Sequence, residues 1–330
     1  MATSDYIIEL HQAKKFFPIR PKLFRRSGSD DYLKAVNGVS FKLKQGESLG
    51  LAGESGCGKT TTGKILLKLC AMTGGSYFFK GRDITTLTAK EEIKSFRKQA
   101  QLIFQNPYDA LNPRFTIYRS LLEPLIIHNL GTQQERRDMI RAVMERVNLK
   151  PAETFFEKYP HQMSGGQLQR VVLARALIVD PAFIVADEPV SMLDVSVRAG
   201  VLNLMKEITE KMDLTTVYIS HDLSLIQYMC DYTAIMYLGK IVELGPSREL
   251  IAAPIHPYTK ALISAVPIPD PDVANEAVNI SNNVPSPINL PPGCIFQDRC
   301  PVVTQLCRQE EPVFSEVAAG HRVACHQAET

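Results

Sequence analysis

Short, almost continuous apolar runs alternate along the chain with longer segments of helical periodicity. The runs SLGLAG (residues 48–53), AFIVAD (182–187) and TVYIS (216–220) have the length and β-branched content of buried strands. The segment QQERRDMIRAVMERVNL repeats apolar residues every three or four positions, which predicts a helix with one apolar stripe. Strands separated by amphipathic helices predict an α/β domain built on a mainly parallel sheet.

The remaining patterns divide the chain further. Residues 232–245 form two β-rich runs that meet at Gly239, which predicts a hairpin. Residues 20–32 predict a solvated loop between two strands. Residues 264–293 hold seven of the 21 prolines, so this segment is expected to be extended and poor in regular structure. We therefore expect one large domain over residues 1–260 and a proline-rich linker with a small, irregular cysteine-rich extension over residues 261–330.

Composition narrows the classes of protein that fit. A chain of 330 residues with 45% hydrophobic content can bury a sizeable core. The net charge of +2 gives no reason to expect binding to nucleic acid or a polybasic membrane anchor. The chain has no run of 18 apolar residues, and its N-terminus lacks the pattern of a secretory signal. We expect a cytosolic chain that spans no membrane itself.

A phosphate-binding loop is predicted directly after the first buried strand. GESGCGKTT (residues 53–61) fits the pattern G-x-x-x-x-G-K-[ST] and precedes the helical run TTGKILLKL. Glycines let backbone N–H groups surround a phosphate, and the helix N-terminus adds a positive dipole. Lys59 is expected to contact the β- and γ-phosphates, and the Thr60 hydroxyl to bind Mg²⁺.

Two further motifs extend this interpretation. FIVADEP ends an apolar strand in adjacent carboxylates that point to opposite faces, so Asp187 is expected to hold Mg²⁺ and Glu188 to face the attacking water. Taken alone, such a pair is more often a solubilising turn. MSGGQLQR (residues 163–170) is a second glycine-rich helix start suited to an anion. Two phosphate-binding helix starts in one fold make sense if the second serves a nucleotide held by a partner chain.

The full series of motifs resembles the ATP-binding cassette (ABC) family over about residues 6–260. In order, the chain carries GESGCGKT, the glutamine of LIFQNP, MSGGQ, IVADEP, the aspartate of SMLD and the histidine of ISHDL. The resemblance implies a P-loop NTPase fold with a RecA-like core, a β-subdomain and a helical subdomain inserted over about residues 107–163. It also implies two cassettes that close head to tail, with each ATP between one phosphate loop and the opposite SGGQ.

The resemblance assigns roles to residues that are weak signals alone. The residues expected to bind the chain's own ATP are Phe17, Gly53, Ser55, Gly56, Cys57, Gly58, Lys59, Thr60 and Thr61. Phe17 is preferred over Phe16 for stacking on adenine; the alternative is a pair of core aromatics. The residues around Mg²⁺ would be Thr60, Gln105 and Asp187, and the catalytic ones Glu188, His221 and Gln105. Ser164, Gly165, Gly166 and Gln167 would contact the opposite ATP, and Asp194 would couple the two sites.

Features outside the nucleotide motifs indicate which subclass of ABC protein the chain resembles. One intact cassette without a coiled coil favours a transporter subunit over a translation-factor or chromosome ATPase. NPYDALNPR, HPYTKAL and the cysteine-rich tail resemble the dipeptide and oligopeptide importer ATPases. That likeness implies a related second ATPase chain, two transmembrane permease subunits, an extracytoplasmic solute-binding protein and a peripheral position on the cytoplasmic side of the membrane. Nickel or oligosaccharide import, or a non-transport ABC ATPase, are the alternatives.

Four cysteines lie close together near the C-terminus. Cys294, Cys300, Cys307 and Cys325 have the spacing C-x5-C-x6-C-x17-C, which matches neither common zinc sites nor bacterial ferredoxins. Because structural disulfides are rare in a reducing cytosol, the spacing indicates a metal module of open identity. The importer resemblance implies a [4Fe–4S] cluster on these cysteines; Zn²⁺, or disulfides and free thiols, are the alternatives.

Overall fold

The structure is a computed structural model that describes residues 5–19, 32–265, 280–281, 285–288 and 290–328. The predicted loop at residues 20–32, apart from Tyr32, and most of the proline-rich segment at residues 264–293 lie outside these ranges. Within them, the chain forms two sheets and a set of mostly short helices. None of the helices in the described ranges is long and apolar enough to cross a membrane.

The strands of the described residues are numbered in chain order. They are β1 Tyr6–Pro18, β2 Tyr32–Lys44, β3 Ser48–Ala52, β4 Gly74–Phe79, β5 Arg82–Asp83, β6 Ala100–Ile103, β7 Phe183–Asp187, β8 Thr215–Ile219, β9 Tyr232–Tyr237, β10 Lys240–Pro246, β11 Ser315–Ala318 and β12 His321–Val323.

The helices are numbered in the same way. They are α1 Lys59–Leu66, α2 Lys90–Gln99, α3 Ile117–Ile127, α4 Gln133–Arg146, α5 Glu153–Phe156, α6 Gly165–Leu177, α7 Val195–Lys211, α8 Leu223–Met229, α9 Ser247–Ala252, α10 Pro257–Ser264 and α11 Gln305–Gln309, with a 3₁₀ turn at Pro160–Gln162.

The larger sheet has the strand order β11-β12-β10-β9-β3-β8-β7-β6. Strands β9, β3, β8, β7 and β6 run parallel, whereas β10, β12 and β11 continue the sheet in antiparallel fashion. All five residues of β8 are buried, as expected for a parallel strand covered on both faces. The prediction of an α/β fold with a mainly parallel sheet is confirmed, and the carboxyl ends of β3, β7 and β8 share one edge.

A second, antiparallel sheet has the order β2-β1-β4-β5. Its inner side is apolar: Ile8, Leu10 and Val39 are fully buried in a core that also contains residues of β3 and α1. The sheet therefore packs beside the phosphate loop. The predicted strands on either side of residues 20–32 are β1 and β2.

A helical segment, α3 to α5, lies between β6 and β7. The predicted apolar stripe of α4 is present: Ile140, Val143 and Met144 are buried, together with Val147 directly after the helix. Thr132 begins α4 with a capping box, accepting from the Glu135 backbone N–H while the Glu135 carboxylate accepts from that of Thr132. The stripe packs in one core with α3 and α6.

The C-terminal extension is more regular than predicted. The predicted hairpin turns at Gly239, which has a φ of 82°, and strand β10 of that hairpin pairs with β12, with Glu243 opposite Val323. The expectation of an irregular extension is wrong at this point, because α11, β11 and β12 lie within it. Three-residue and four-residue strands carry too little periodicity to be seen in the sequence.

Candidate nucleotide-binding site

The phosphate loop connects β3 to α1 and depends on glycine at two positions. Gly53 has a φ of 144°, and a Cβ there would lie 2.2 Å from the Met236 carbonyl oxygen. Gly58, the N-cap of α1, has a φ of 108°, and a Cβ would lie 2.2 Å from the Ala35 carbonyl oxygen. Since both clashes are with backbone, only glycine fits. The loop delivers backbone N–H groups and the positive end of α1 to one place.

Lys59 lies over the loop rather than in solvent. Its side chain is 7% exposed, and Nζ donates to the carbonyl oxygens of Gly53 (2.7 Å) and Glu54 (2.9 Å). Cys57 is a buried residue of the loop, and burial raises the pKa of its thiol. The ammonium of Lys59 is thus held at the mouth of the loop, with hydrogen bonds that phosphate oxygens can replace.

Two adjacent carboxylates, Asp187 as the last residue of β7 and Glu188 directly after it, lie at the same edge of the sheet. Asp187 accepts a long hydrogen bond of 3.4 Å from the Thr60 hydroxyl, and burial raises its pKa. Glu188 comes next with a φ of 46°, and its N–H donates to the Ile219 carbonyl oxygen at the end of β8. A hydroxyl and a carboxylate side by side are the oxygen ligands that Mg²⁺ prefers.

Glu188 is held through both of its oxygens. Oε2 accepts from Gln105 Nε2 at 2.9 Å, and Oε1 lies 2.9 Å from His221 Nδ1. A carboxylate only accepts, so His221 Nδ1 carries a proton in this arrangement. Gln105 follows β6 and His221 follows β8, so the pair flanks Glu188 from the two neighbouring strands.

One cavity of about 570 Å³ brings these residues together. This is within the range of about 300–1,000 Å³ typical of ligand sites. Of the predicted residues, its wall includes Phe17, Ser55, Gly56, Gly58, Lys59, Thr60, Thr61, Gln105, Asp187, Glu188 and His221. Gly53 and Cys57 belong to the loop but do not line the cavity. Four wall residues were not predicted, because apolar residues on strands and in a proline-rich linker carry no signal for a ligand: Leu33, Ala35, Ile219 and Pro287.

The SGGQ segment lies outside this cavity. Ser164 is the N-cap of α6, and a capping box joins it to Gln167 through hydrogen bonds of 3.3 and 3.1 Å. A side chain at Gly166 would displace that of Val197, since a Cβ would lie 2.5 Å from Val197 Cγ1. Asp194, the N-cap of α7, is exposed between Met192 (64% exposed) and Val195 (79% exposed). These residues form a surface of the chain separate from its own phosphate loop.

The four C-terminal cysteines form no disulfide bond and lie in one region. Burial raises the pKa of Cys294 to about 11, and the charges of Cys307, Cys300 and Cys325 add to that rise. The N–H of Cys294 donates to the Cys307 carbonyl oxygen at 2.8 Å. Across the described part of the chain, however, no three His, Cys, Asp or Glu side chains are grouped closely enough to hold a metal ion.

Comparison with known proteins finds similarity to transporter ATP-binding proteins along nearly the whole chain. Residues 36–191 match the family model described as ABC transporter, and residues 242–307 match the one described as oligopeptide/dipeptide transporter, C-terminal region. The oligopeptide transport ATP-binding protein AppF of Bacillus subtilis is 47% identical over 98% of both chains. The dipeptide transport ATP-binding protein DppF of Haemophilus influenzae is 44% identical over 94% of both.

Solved structures agree on the fold. The dimeric ATP-binding cassette MJ0796, bound to ADP and Pi, is 27% identical and superimposes with a TM-score of 0.62, covering 73% of this chain and 99% of its own. CbiO1 of Clostridium perfringens has a TM-score of 0.64, covers 76% of this chain and 92% of its own, and is 22% identical, so it shows the fold alone.

Proposed function

The chain belongs to the ABC transporter family of ATP-binding proteins, and from that premise we propose that it is the ATP-hydrolysing subunit of a peptide importer. The observation that carries the proposal is the cavity in which Lys59, Asp187 and Glu188 meet beside a glycine-rich helix start. The peptide substrate is supported by relatives named for oligopeptide and dipeptide transport, which are similar over both the cassette and the C-terminal region.

We infer the following roles within the cavity. The loop N–H groups and Lys59 bind the phosphates, and the Phe17 ring, 38% exposed at the cavity wall, stacks on adenine. The residues that would hold Mg²⁺ are Thr60, Gln105 and Asp187, and the ion would offset the charge of the phosphates.

Glu188 acts as the general base. Hydrogen bonds from Gln105 and His221 fix the orientation of its carboxylate. The carboxylate is therefore already oriented to accept a proton from an attacking water. Nε2 of His221 is then the ring atom left to contact the γ-phosphate. Because Nδ1 donates to Glu188, Nε2 can donate to a phosphate only when the ring is an imidazolium.

The complete ATP site requires a second cassette. Ser164, Gly165, Gly166 and Gln167 lie outside the chain's own cavity, which supports a role at the ATP of a partner ATPase. The exposed Met192 and Val195 beside Asp194 form an apolar surface suited to that contact. The partners would be a related ATPase chain and two transmembrane permeases on the cytoplasmic side of the membrane, supplied indirectly by an extracytoplasmic solute-binding protein.

The experiment that tests the function is complementation of a strain lacking this chain. Wild type and Lys59→Ala are expressed at equal levels, and uptake of labelled peptides, nickel and an oligosaccharide is measured. Restored peptide uptake with wild type and none with Lys59→Ala is expected. Restored uptake of nickel or the oligosaccharide alone would replace the peptide assignment, and restoration by both variants would contradict ATP-driven transport.

The division of the chain at residues 260 and 261, with a helical subdomain over residues 107–163, is part of the same proposal. We also propose Cys294, Cys300, Cys307 and Cys325 as ligands of a [4Fe–4S] cluster, with Zn²⁺ as the alternative. The backbone contact of Cys294 with Cys307 places two of the four cysteines side by side, but the ungrouped side chains must move together to bind either metal. The cluster would link the extension's segments covalently through iron.

Metal analysis of the protein purified without oxygen tests this assignment. Iron and acid-labile sulfide in nearly equal amounts, lost in Cys300→Ser and retained in Cys70→Ser, are expected for the cluster. Stoichiometric zinc would favour the alternative. Protein with neither metal would leave the cysteines without a metal role.

A further inference from the structure

A buried arginine of the cysteine-rich extension forms an ion pair with a residue of the phosphate loop. Both terminal nitrogens of Arg299 donate to the Glu54 carboxylate, at 2.8 Å each. The Arg299 side chain is 3% exposed and that of Glu54 is 28% exposed. A paired, planar and largely desolvated contact of this kind is strong and directional. Glu54 is the second residue of the phosphate loop, and Arg299 directly precedes Cys300.

Contacts other than the one with Glu54 also hold the Arg299 guanidinium in place. Its Nε donates to the Ser281 carbonyl oxygen at 2.7 Å, and its Cζ lies 5.6 Å from the centroid of the Tyr237 ring and 5.9 Å from that of the Phe296 ring. The Glu54 carboxylate further raises the pKa of Arg299. Burying a cation without an anion costs free energy. The packing of the extension on the cassette therefore depends on the Glu54 carboxylate as the partner of Arg299.

The backbone of Glu54 connects Arg299 to Lys59, the residue expected to bind phosphate. Its backbone N–H donates to the Tyr258 hydroxyl at 2.9 Å, and its carbonyl oxygen accepts from Lys59 Nζ at 2.9 Å. Arg299, Glu54 and Lys59 thus form one connected series. Holding Glu54 in place fixes the start of the loop on which Lys59 rests.

The extension reaches the nucleotide cavity at a second point. Pro287 lines the cavity, and its carbonyl oxygen accepts from the Lys34 backbone N–H at 3.2 Å. This contact is on the β2 side of the cavity, near Leu33 and Ala35, whereas Arg299 acts on the loop. Two segments of the extension therefore take part in the site.

We propose that Arg299 is a positioning residue for ATP binding, and that the extension is a working part of the nucleotide site. Arg299 holds the Glu54 end of the loop in the conformation that binds phosphate. It also neutralises a carboxylate that would otherwise repel the triphosphate. The proposal rests on the proposed function, since it assumes that the cavity binds ATP.

The test is a double-mutant cycle on equilibrium binding of a fluorescent ATP analogue with Mg²⁺. Arg299→Gln is expected to weaken binding at least about tenfold, or about 1.4 kcal/mol. In the Glu54→Gln background, the same change is expected to cost less than about threefold, because its partner charge is gone. Arg299→Lys, with one charged donor group, is expected to recover part of the loss. Arg308→Gln, an exposed arginine of the same extension, is the control and should bind as wild type.

In the binding experiment, two outcomes would overturn the proposal: normal binding by Arg299→Gln, or an equal loss in both Glu54 backgrounds. A wild type that binds no nucleotide would instead refute the proposed function itself, so the two failures are distinguishable. Hydrogen exchange without nucleotide separates positioning from unfolding. In Arg299→Gln, the amides of residues 53–60 are expected to exchange faster while those of β12 keep their protection. Loss of protection in β12 as well would assign Arg299 a purely structural role.

Discussion

Glu243→Gln is expected to loosen the C-terminal extension from the central sheet. Glu243 is fully buried on β10, and its carboxylate accepts three hydrogen bonds. Oε1 accepts from the Ile255 N–H (2.9 Å) and from His321 Nε2 (2.8 Å), and Oε2 accepts from the His256 N–H (3.0 Å). The three donors come from the segment before α10 and from β12. One side chain therefore ties the cassette to the extension.

The magnitude follows from the geometry. A glutamine can keep its oxygen at the position that accepts two bonds, but its NH₂ then faces the His256 N–H. One buried donor is left unpaired, at about 1–3 kcal/mol, and the two remaining bonds lose their charge, at about 1 kcal/mol each. Relief of a buried charge offsets part of this cost. We expect a net loss of about 2–4 kcal/mol, or a rise of about thirtyfold to several hundredfold in the local opening constant.

Hydrogen exchange of the amides of Ile255, His256 and Val323 measures this opening. The matched control is Glu311→Gln, which removes an ion pair between the same two regions in which Glu311 is exposed and Lys240 is half-buried. An exposed pair contributes about 0–1 kcal/mol, so the control should exchange almost as wild type. Equal exchange in the two variants would refute the argument that the buried carboxylate holds the extension.

Three further predictions concern the site and its surroundings. Glu188→Gln is expected to slow single-turnover phosphate release about 10²–10⁴-fold without weakening ATP binding, and a near-normal rate would remove Glu188 from the role of base. Gly166→Ala is expected to slow hydrolysis in the assembled transporter but not ATP binding by the isolated chain; weaker binding by the isolated chain would contradict this. Burial lowers the pKa of His256 from 6.5 to about 3. The unfolded chain therefore takes up a proton that the folded chain does not, and stability is lost at about 1.4 kcal/mol per pH unit as pH falls below about 6.5. His256→Asn should reduce the slope of stability against pH by that amount in urea titrations, and an unchanged slope would contradict it.

Local motifs could be predicted because the residues that give them their chemistry are neighbours in the sequence. The turn and glycines of residues 53–61 and the carboxylates after β7 are each set within a few positions, and parallel strands bring their carboxyl ends to one edge. Gln105 and His221 are 83 and 33 residues from Glu188, and only their order in the family's motif series drew attention to them. Their contacts with the two oxygens of Glu188 depend on strand order, which the sequence does not specify.

The contacts between cassette and extension could not be predicted for a different reason. Arg299 and Glu54 are 245 residues apart, and any of the 35 acidic residues was an equal candidate as partner. What selects Glu54 is burial, since a desolvated guanidinium must have an anion. Glu243 and His321 are joined in the same way, across 78 residues. These two buried pairs mean that docking of the extension and order in the phosphate loop are linked. Glu243→Gln should therefore weaken ATP binding only as far as it undocks Arg299, whereas Arg299→Gln should weaken it with the extension still in place.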